Sequence, residues 1–145
     1  MAPLVQITFG GLLLILCTVV HIVSFTTIIR KFRHWEKRPD HWIMTSDFRR
    51  IVFVLLVLLV SHTTQVYIWA ATFWLGGMLE SIETSIYYAL VSYTTLGYGD
   101  VTLGPPFRIY GAMSSVVGVF TIGMSTAFLV GFFAELLAAS EQDRP

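Results

Sequence analysis

Two long stretches without charge constrain what this chain can fold into more than any other feature. Residues 4–29 and 51–75 contain no Asp, Glu, Lys or Arg. A helix needs roughly 20 apolar residues to cross the hydrocarbon core of a bilayer, so each stretch is long enough to span it. The chain is also 55% hydrophobic and only 12% charged, with a mean hydropathy of +0.72, unlike a soluble globule. The sequence therefore predicts a membrane protein.

The segment between these stretches indicates the orientation of the chain. Seven Lys or Arg residues lie within residues 30–50. Loops on the cytosolic side of membranes carry an excess of Lys and Arg, so we expect the linker over residues 31–50 to be cytosolic and the N-terminus to lie outside. The first apolar run exceeds the roughly 7 to 15 residues of a signal-peptide core and follows no basic residue. We therefore expect residues 1–30 to form a retained transmembrane helix.

The second half of the chain predicts a re-entrant segment and one more crossing. Residues 81–92 are too few to span a bilayer, and Ser81 and Glu83 suit the N-cap and first turn of a short helix. Residues 94–100 contain two glycines and no helical periodicity, and Gly-Pro-Pro at 104–106 stops the pattern. A third helix over residues 107–137 then returns to the cytosol, leaving a short tail at 138–145. The predicted fold is all-α, with three transmembrane helices plus a re-entrant helix and loop.

The irregular loop over residues 95–99 needs a chemical reason to exist. Lipid cannot satisfy the polar groups of irregular backbone, which is therefore tolerated at membrane depth only in protein or beside a water-filled cavity. Rings of backbone carbonyls can replace the hydration shell of a cation if the chain turns successive carbonyls the same way. Gly97 and Gly99 allow such turns, Thr95 adds a hydroxyl oxygen, and Tyr98 can brace the loop. The pattern predicts a cation-binding loop.

Residues 94–100 read Thr-Thr-Leu-Gly-Tyr-Gly-Asp and resemble the signature of tetrameric potassium channels, whose core is Thr-Val-Gly-Tyr-Gly-Asp. Only Leu96 differs, at a position where the carbonyl faces the ion. Residues 51–137 also follow the family's order of outer helix, pore helix, filter and inner helix, and residues 1–30 add one helix, as in a small prokaryotic-type channel. The resemblance implies a homotetramer in the cell membrane that passes K⁺ passively, with lipid around it, and we expect no cofactor and no enzymatic activity. The net charge is zero and no basic stripe interleaved with aromatics appears outside the linker, so we expect no nucleic-acid partner.

The resemblance also assigns roles near the loop. It implies that K⁺ binds the carbonyls of a selectivity filter formed by Thr95, Leu96, Gly97, Tyr98 and Gly99. Asp100 would concentrate cations at the outer mouth. Tyr87 and Tyr88 stand where many members carry a tryptophan pair, and we expect one of them to hydrogen-bond Asp100. Val91 departs from the pattern, because some members place there a glutamate that pairs with the aspartate.

In the third helix, the resemblance places Gly118 near the family's hinge glycine and Gly123 below it. Close helix packing is an equally supported reason for Gly118. Residues that would line a cavity under the filter are Val119, Ile122 and Thr126.

His21 and His62 are ionisable residues inside the apolar stretches, which makes them candidates for function. They lie eight and eleven residues from the cytosolic ends of their stretches, a depth difference of about 5 Å, so they can meet. We expect neutral packing histidines, with a pH-sensing pair and a shared haem or metal as alternatives. A stripe containing Thr18 and His21 should then pack the first helix, at the periphery, against the outer face of the second helix of its own or a neighbouring subunit, near Thr63 or Gln65.

Several alternatives stay open or lose support. A weakly selective cation channel is the nearest rival, and a membrane haem or redox protein using the two histidines is a rival from another class. A transporter-type uptake pore would carry several pore repeats, whereas this chain has one signature. No Arg recurs at every third position in an apolar stretch, which disfavours a voltage sensor.

Overall fold

The computed structural model describes residues 2–35 and 43–142, and over these ranges the chain is mostly helical. The four α-helices are α1 (Pro3–Trp35), α2 (Ile43–Leu75), α3 (Ile82–Tyr93) and α4 (Arg108–Gln142), with a 3₁₀ turn at Pro105–Phe107 before α4. Three of them contain spans long and apolar enough to cross a membrane, namely Pro3–Arg33, Asp47–Leu75 and Pro105–Ala139. The predicted all-α membrane fold is confirmed.

The helix ends differ from the sequence-based boundaries on the linker side. α1 continues to Trp35 and α2 begins at Ile43, so both helices run into the stretch expected to be a linker. Arg and Lys are good helix formers, so a charged residue ends a transmembrane span without ending the helix. The middle of the linker, at 36–42, lies outside the described residues, and its position at a cytosolic surface stays a prediction. α4 likewise continues past Leu137 to Gln142.

The short helix α3 begins as expected. Ser81 is its N-cap in an extended conformation, and its Oγ accepts a hydrogen bond from the backbone N–H of Thr84 at 3.1 Å. Glu83 lies in the first turn, where a carboxylate favours the positive end of the helix dipole. Twelve residues give a helix about 18 Å long, which cannot cross a bilayer. α3 is therefore a half-membrane helix that ends directly at the loop of interest.

Two apolar clusters hold the helices together. The larger one surrounds α3 and contains Trp69 and Phe73 of α2, Tyr110 of α4 and Cys17 of α1. The smaller one joins α1, α2 and α4 at the other end of the bundle, around Ile28, Val54, Leu58 and Phe132. Helix α1 contributes to both clusters, so it is part of the core of this chain.

The packing of α1 corrects the expectation that it lies only against the outer face of α2. α1 also packs along α4. Gln6 is buried and its Oε1 accepts a hydrogen bond from the backbone N–H of Tyr110 at 3.1 Å. That N–H lies in the first turn of α4, where a helix has no donor partner of its own. Gly10 lets Met113 approach closely, since an added Cβ would come within 2.6 Å of the Met113 Cγ.

Candidate functional site

The loop after α3 is anchored to the last turn of that helix. The N–H of Thr95 donates to the carbonyl of Ser92 at 3.0 Å, and the N–H of Gly97 donates to the carbonyl of Val91 at 3.2 Å. The C-terminal end of a helix carries a partial negative charge, which favours a cation placed beside it. Both the position of the loop and its electrostatic surroundings thus follow from where α3 ends.

Alternate residues of the loop have the left-handed backbone conformation. The φ angles are +61° at Thr95, +58° at Gly97 and +77° at Gly99, and neither Leu96 nor Tyr98 between them has a positive φ. In an extended strand successive carbonyls point to opposite sides, whereas a positive φ at every second residue rotates alternate peptide planes, so that successive carbonyls can turn toward one side. This backbone can therefore present a row of oxygens to a single ion path.

Thr95 is the strained member of this row. Glycine adopts a positive φ at no steric cost, but a β-branched residue there is a genuine outlier. Such strain costs on the order of 1–3 kcal/mol and persists only where the surroundings impose it. Among the described residues, Thr95 is the only non-glycine residue with a positive φ. A hydroxyl that extends the row of oxygens would be a reason for a threonine at this position.

The outer end of the loop carries the predicted tyrosine–aspartate contact. The hydroxyl of Tyr87 donates to Oδ2 of Asp100 at 2.5 Å. This hydrogen bond holds the pKa of the Asp100 carboxyl below its ordinary value and raises the pKa of Tyr87. Tyr88 points the other way: its ring packs edge-on against Phe73 at 5.1 Å, and its hydroxyl lies against Gly111 of α4. Tyr87 is thus the member of the pair that contacts the aspartate.

Helix α4 supports the end of α3 from behind. The Ser115 hydroxyl donates to the carbonyl of Ser92 at 2.7 Å. One turn further along α4, a Cβ on Gly118 would overlap the carbonyl of Tyr93. Gly118 therefore has a packing role, because only glycine lets the two backbones approach so closely. A hinge at this position stays a prediction.

The expected cavity residues lie on an exposed face of α4 in the isolated chain. Val119, Ile122, Gly123 and Thr126 are all exposed, and a Cβ added to Gly123 would meet no atom within 4 Å. The opposite face holds a buried stripe of small or polar residues at spacings of three and four, Ser114, Gly118, Thr121 and Ser125. Since the stripe packs inside the chain, the face that includes Val119 is left free for a pore or a neighbouring subunit.

The two membrane histidines meet, as the depth argument predicts. Their ring centroids are 5.0 Å apart. His21 bonds Ser61 through Nδ1 and Ser125 through Nε2, both at 2.9 Å. His62 bonds Tyr93 through Nδ1 at 2.8 Å and Ser125 through Nε2 at 2.9 Å. All four ring nitrogens are thereby engaged by hydroxyls, whereas a shared haem would need one nitrogen of each histidine for iron.

Tyr93 and Ser125 were missed by the sequence-based site prediction. The spacing of small and polar residues on α4 was an available signal, because such residues mark contact faces of membrane helices. Among the described residues, no group of three or more His, Cys, Asp or Glu could hold a metal ion. His21, Ser61, His62, Gln65, Tyr93 and Ser125 bond to one another, whereas several other hydroxyls, such as that of Thr18, bond the carbonyl one turn earlier on the same helix.

The chain is similar to known proteins over its C-terminal part. The sequence profile of the ion channel family matches residues 52–135. Similar proteins include a Shaker-related potassium channel of Oncorhynchus mykiss, 34% identical over 61% of this chain and 18% of the relative. Another is a potassium voltage-gated channel protein of Caenorhabditis elegans, 31% identical over 61% of this chain and 16% of the relative. Potassium voltage-gated channel subfamily A member 7 of Homo sapiens is 32% identical over 58% of this chain and 18% of the relative.

No solved structure matches the chain significantly. The chain spans less than a fifth of the length of these curated relatives. The profile match nevertheless covers more than half of the chain and includes most of α2, all of α3, the loop and most of α4. With three apolar spans around a re-entrant helix and loop, this chain is a multi-pass membrane protein of the ion channel family, and potassium channels are the relatives it is similar to.

Proposed function

We propose that this chain is one subunit of a potassium-selective channel that conducts K⁺ passively. The observation that carries the proposal is the alternation of positive φ at Thr95, Gly97 and Gly99 in a loop anchored to the end of α3. This backbone turns carbonyl oxygens toward one path, which is what a dehydrated cation needs. The carbonyls of Thr95, Leu96, Gly97 and Tyr98 bind the ion, and the Thr95 hydroxyl adds an oxygen at the inner end.

A homotetramer completes the site, because one chain contributes one strand of oxygens and a closed ring needs several. Leu96 and Tyr98 are 55% and 67% exposed in the isolated chain. Large apolar and aromatic side chains at the mouth of a membrane protein favour contact with a neighbouring subunit. The exposed face of α4 that includes Val119 and Ile122 supports the same arrangement, with four such faces around the central cavity.

The proposed location is the plasma or inner membrane, with the N-terminus outside and the end of α4 in the cytosol. The charge distribution supports this orientation, because the basic residues cluster between the first two spans. The loop and Asp100 then face the outside. Asp100 keeps a negative charge there over a wide pH range, because the Tyr87 hydroxyl lowers its pKa. That charge concentrates cations at the outer mouth.

Recording from purified protein in planar bilayers tests the proposal. With K⁺ on one side and Na⁺ on the other, we expect a reversal potential showing that K⁺ permeates at least about tenfold better, equivalent to about 1.4 kcal/mol of preference. Barium, a divalent ion of similar radius to K⁺, should block the current from within the filter. Comparable K⁺ and Na⁺ permeability would instead support the weakly selective cation channel, and absence of any current would contradict the channel itself.

A further inference from the structure

A closed cycle of hydrogen bonds joins all four helices beneath the loop. It runs from His21 on α1 to Ser125 on α4, then to His62 on α2, Tyr93 at the end of α3, and Gln65 on α2, which returns to His21. The five distances are 2.9, 2.9, 2.8, 3.1 and 3.4 Å in that order. His21 and Gln65 are fully buried, and Tyr93 and Ser125 nearly so. We call these five residues the hydrogen-bond cycle.

The donors and acceptors of the cycle match when both histidines are neutral. Gln65 Nε2 donates to His21 Nδ1, and His21 Nε2–H donates to Ser125. The Ser125 hydroxyl donates to His62 Nε2, and His62 Nδ1–H donates to Tyr93. The Tyr93 hydroxyl then donates to Gln65 Oε1, as the structure has it. Every link has one donor and one acceptor, so no buried polar group of the cycle is left unpaired.

The cycle connects to the filter through Tyr93. This residue ends α3, and its carbonyl lies against Gly118. The two preceding residues, Val91 and Ser92, accept the hydrogen bonds that hold Gly97 and Thr95. Any rotation of the last turn of α3 would therefore move the loop. The Tyr93 hydroxyl forms hydrogen bonds with His62 at 2.8 Å, Gln65 at 3.1 Å and Thr121 at 2.7 Å. These bonds restrain the last turn of α3.

We propose that the hydrogen-bond cycle positions the selectivity filter, with His21 of α1 acting as a positioning residue for conduction. The inference rests on the proposed function. It assigns a role to α1, which lies outside the profile match at residues 52–135. His21 reaches the filter only through Ser125, His62 and Tyr93, and touches no ion. Filter positioning requires the closed cycle, since low-dielectric surroundings make each buried link strong and each broken link costly.

Two buried serines that both bond His21 provide a matched test. Ser125 lies in the cycle, whereas Ser61 is a side branch that bonds His21 Nδ1 at 2.9 Å and Gln65 Nε2 at 3.4 Å. Without Ser61 the cycle still closes through the direct contact between Gln65 and His21. Ser125→Ala and Ser61→Ala each remove one hydroxyl from a buried site. We expect Ser125→Ala to lower the K⁺/Na⁺ permeability ratio and the K⁺ affinity measured by calorimetry by about tenfold or more, because it removes two links of the cycle, those to His21 and His62. Ser61→Ala should leave both unchanged within about twofold, a few tenths of a kcal/mol.

A second variant that opens the cycle and one that restores the Ser125 hydroxyl complete the test. Tyr93→Phe removes only a hydroxyl and opens the cycle at its filter end. It should therefore lower the K⁺/Na⁺ permeability ratio and the K⁺ affinity as Ser125→Ala does. If the Ser125→Ala protein does not assemble, Tyr93→Phe alone tests the proposal. Ser125→Thr restores a hydroxyl and should recover the parent values. Thermal unfolding of each variant separates positioning from stability, because Ser61→Ala and Ser125→Ala should lower the melting temperature alike while only the latter changes selectivity.

The failure of this inference is distinguishable from failure of the proposed function. A parent protein that neither binds K⁺ in calorimetry nor selects it in bilayers overturns both. A selective parent whose Ser125→Ala and Tyr93→Phe variants keep its K⁺ affinity and permeability ratio overturns the inference alone. Equal changes in Ser61→Ala and Ser125→Ala overturn it as well, since the closed path would then not matter.

Discussion

At the scale of single residues, the proposed filter depends on backbone conformations that most side chains disfavour. Gly97 has a φ of +58° with its neighbourhood otherwise open, the nearest atom to an added Cβ being the Thr95 carbonyl oxygen at 3.9 Å. A substitution there would therefore act through backbone strain rather than through a clash. Gly118 is the opposite case, because it has ordinary helical conformation but no space for a Cβ. The two glycines consequently predict different kinds of defect.

Gly97→Ala should abolish K⁺ conduction while the protein still assembles. An L-residue with positive φ costs about 1–2 kcal/mol, and relaxing that strain would turn a carbonyl away from the ion path. Conduction is measured by K⁺ flux from loaded vesicles, and assembly by size-exclusion chromatography. A Gly97→Ala protein that conducts like the parent would show that residues 95–99 are not the filter.

Gly118→Ala should destabilise the protein even though alanine is the better helix former. The replacement gains about 1 kcal/mol of helix propensity, but the new Cβ overlaps the backbone carbonyl of Tyr93, which no rotamer change relieves. Overpacking of this kind costs typically 1–3 kcal/mol and here also displaces the end of α3. Gly131→Ala on the same helix is the control, because a Cβ there meets no atom within 4 Å. The melting temperature in detergent should fall for Gly118→Ala only; equal values would contradict the close contact.

Tyr87→Phe should shift the pH dependence of the current. The Tyr87 hydroxyl lowers the pKa of Asp100, so the carboxylate of the parent stays charged until the outside becomes unusually acidic. Without that hydroxyl the pKa rises toward its ordinary value, and the current should begin to fall at a higher external pH. Tyr88→Phe is the matched control, because the Tyr88 hydroxyl lies against Gly111 instead. Identical pH profiles of the two variants would mean that the Tyr87 contact does not tune Asp100.

At the scale of helices, α1 is bound to the rest of the chain at two depths. Near its N-terminus Gln6 accepts from the first turn of α4, and near its middle His21 joins Ser61 and Ser125. Between them Cys17 is fully buried in the cluster around Trp69. Polar contacts at such positions fix both the depth and the rotation of a membrane helix. α1 is therefore held along its length, and its orientation is tied to that of α4.

The proposed orientation predicts labelling from opposite sides of the membrane. Cys17 is the sole cysteine of the chain and is buried, so a cysteine introduced at an exposed end can be labelled selectively. Ala2→Cys should react with a membrane-impermeant maleimide in intact cells. Ala139→Cys, near the other end of the bundle, should react only after permeabilisation. The reverse pattern would show that the charge-based topology is wrong.

At the scale of the whole molecule, much of the apolar surface of the single chain is exposed. Long side chains on all three spans face outward, for example Leu12, Leu59 and Phe120. In water such a surface would cause aggregation, whereas in a bilayer it contacts lipid tails or neighbouring subunits. A single chain also provides only one strand of the proposed filter. Both features are explained by an assembly of several copies around a central axis.

The expected assembly contains four copies of the 16.3 kDa chain. Light scattering coupled to chromatography, with the detergent mass subtracted, should give the mass of a tetramer. Glutaraldehyde treatment should then show a ladder ending at the fourth band. A dimer or monomer that still conducts K⁺ selectively would contradict the closed ring of four strands.

The sequence by itself determined the spans, the half-membrane helix and the candidate filter. Each depends on information that is local along the chain: the length of an apolar run, an N-cap at Ser81, or glycines at alternate positions next to Tyr98. Such patterns act over a few residues, so they can be interpreted without knowing which helices are neighbours. The same locality explains why the predicted end of α1 is too early and the predicted start of α2 is too late. A basic residue marks the edge of the hydrocarbon core but does not break a helix.

Only the tertiary structure decided which side chains meet across helices. Depth along the membrane brought His21 and His62 to similar levels, but the rotation of each helix about its axis determined that Ser125 joins them and that Tyr93 completes the path. The rotation of α3 about its axis also determined that Tyr87, rather than Tyr88, contacts Asp100. Neighbouring residues on a helix point about 100° apart. The partner of a given side chain therefore depends on how every helix packs, and this packing is a property of the whole fold.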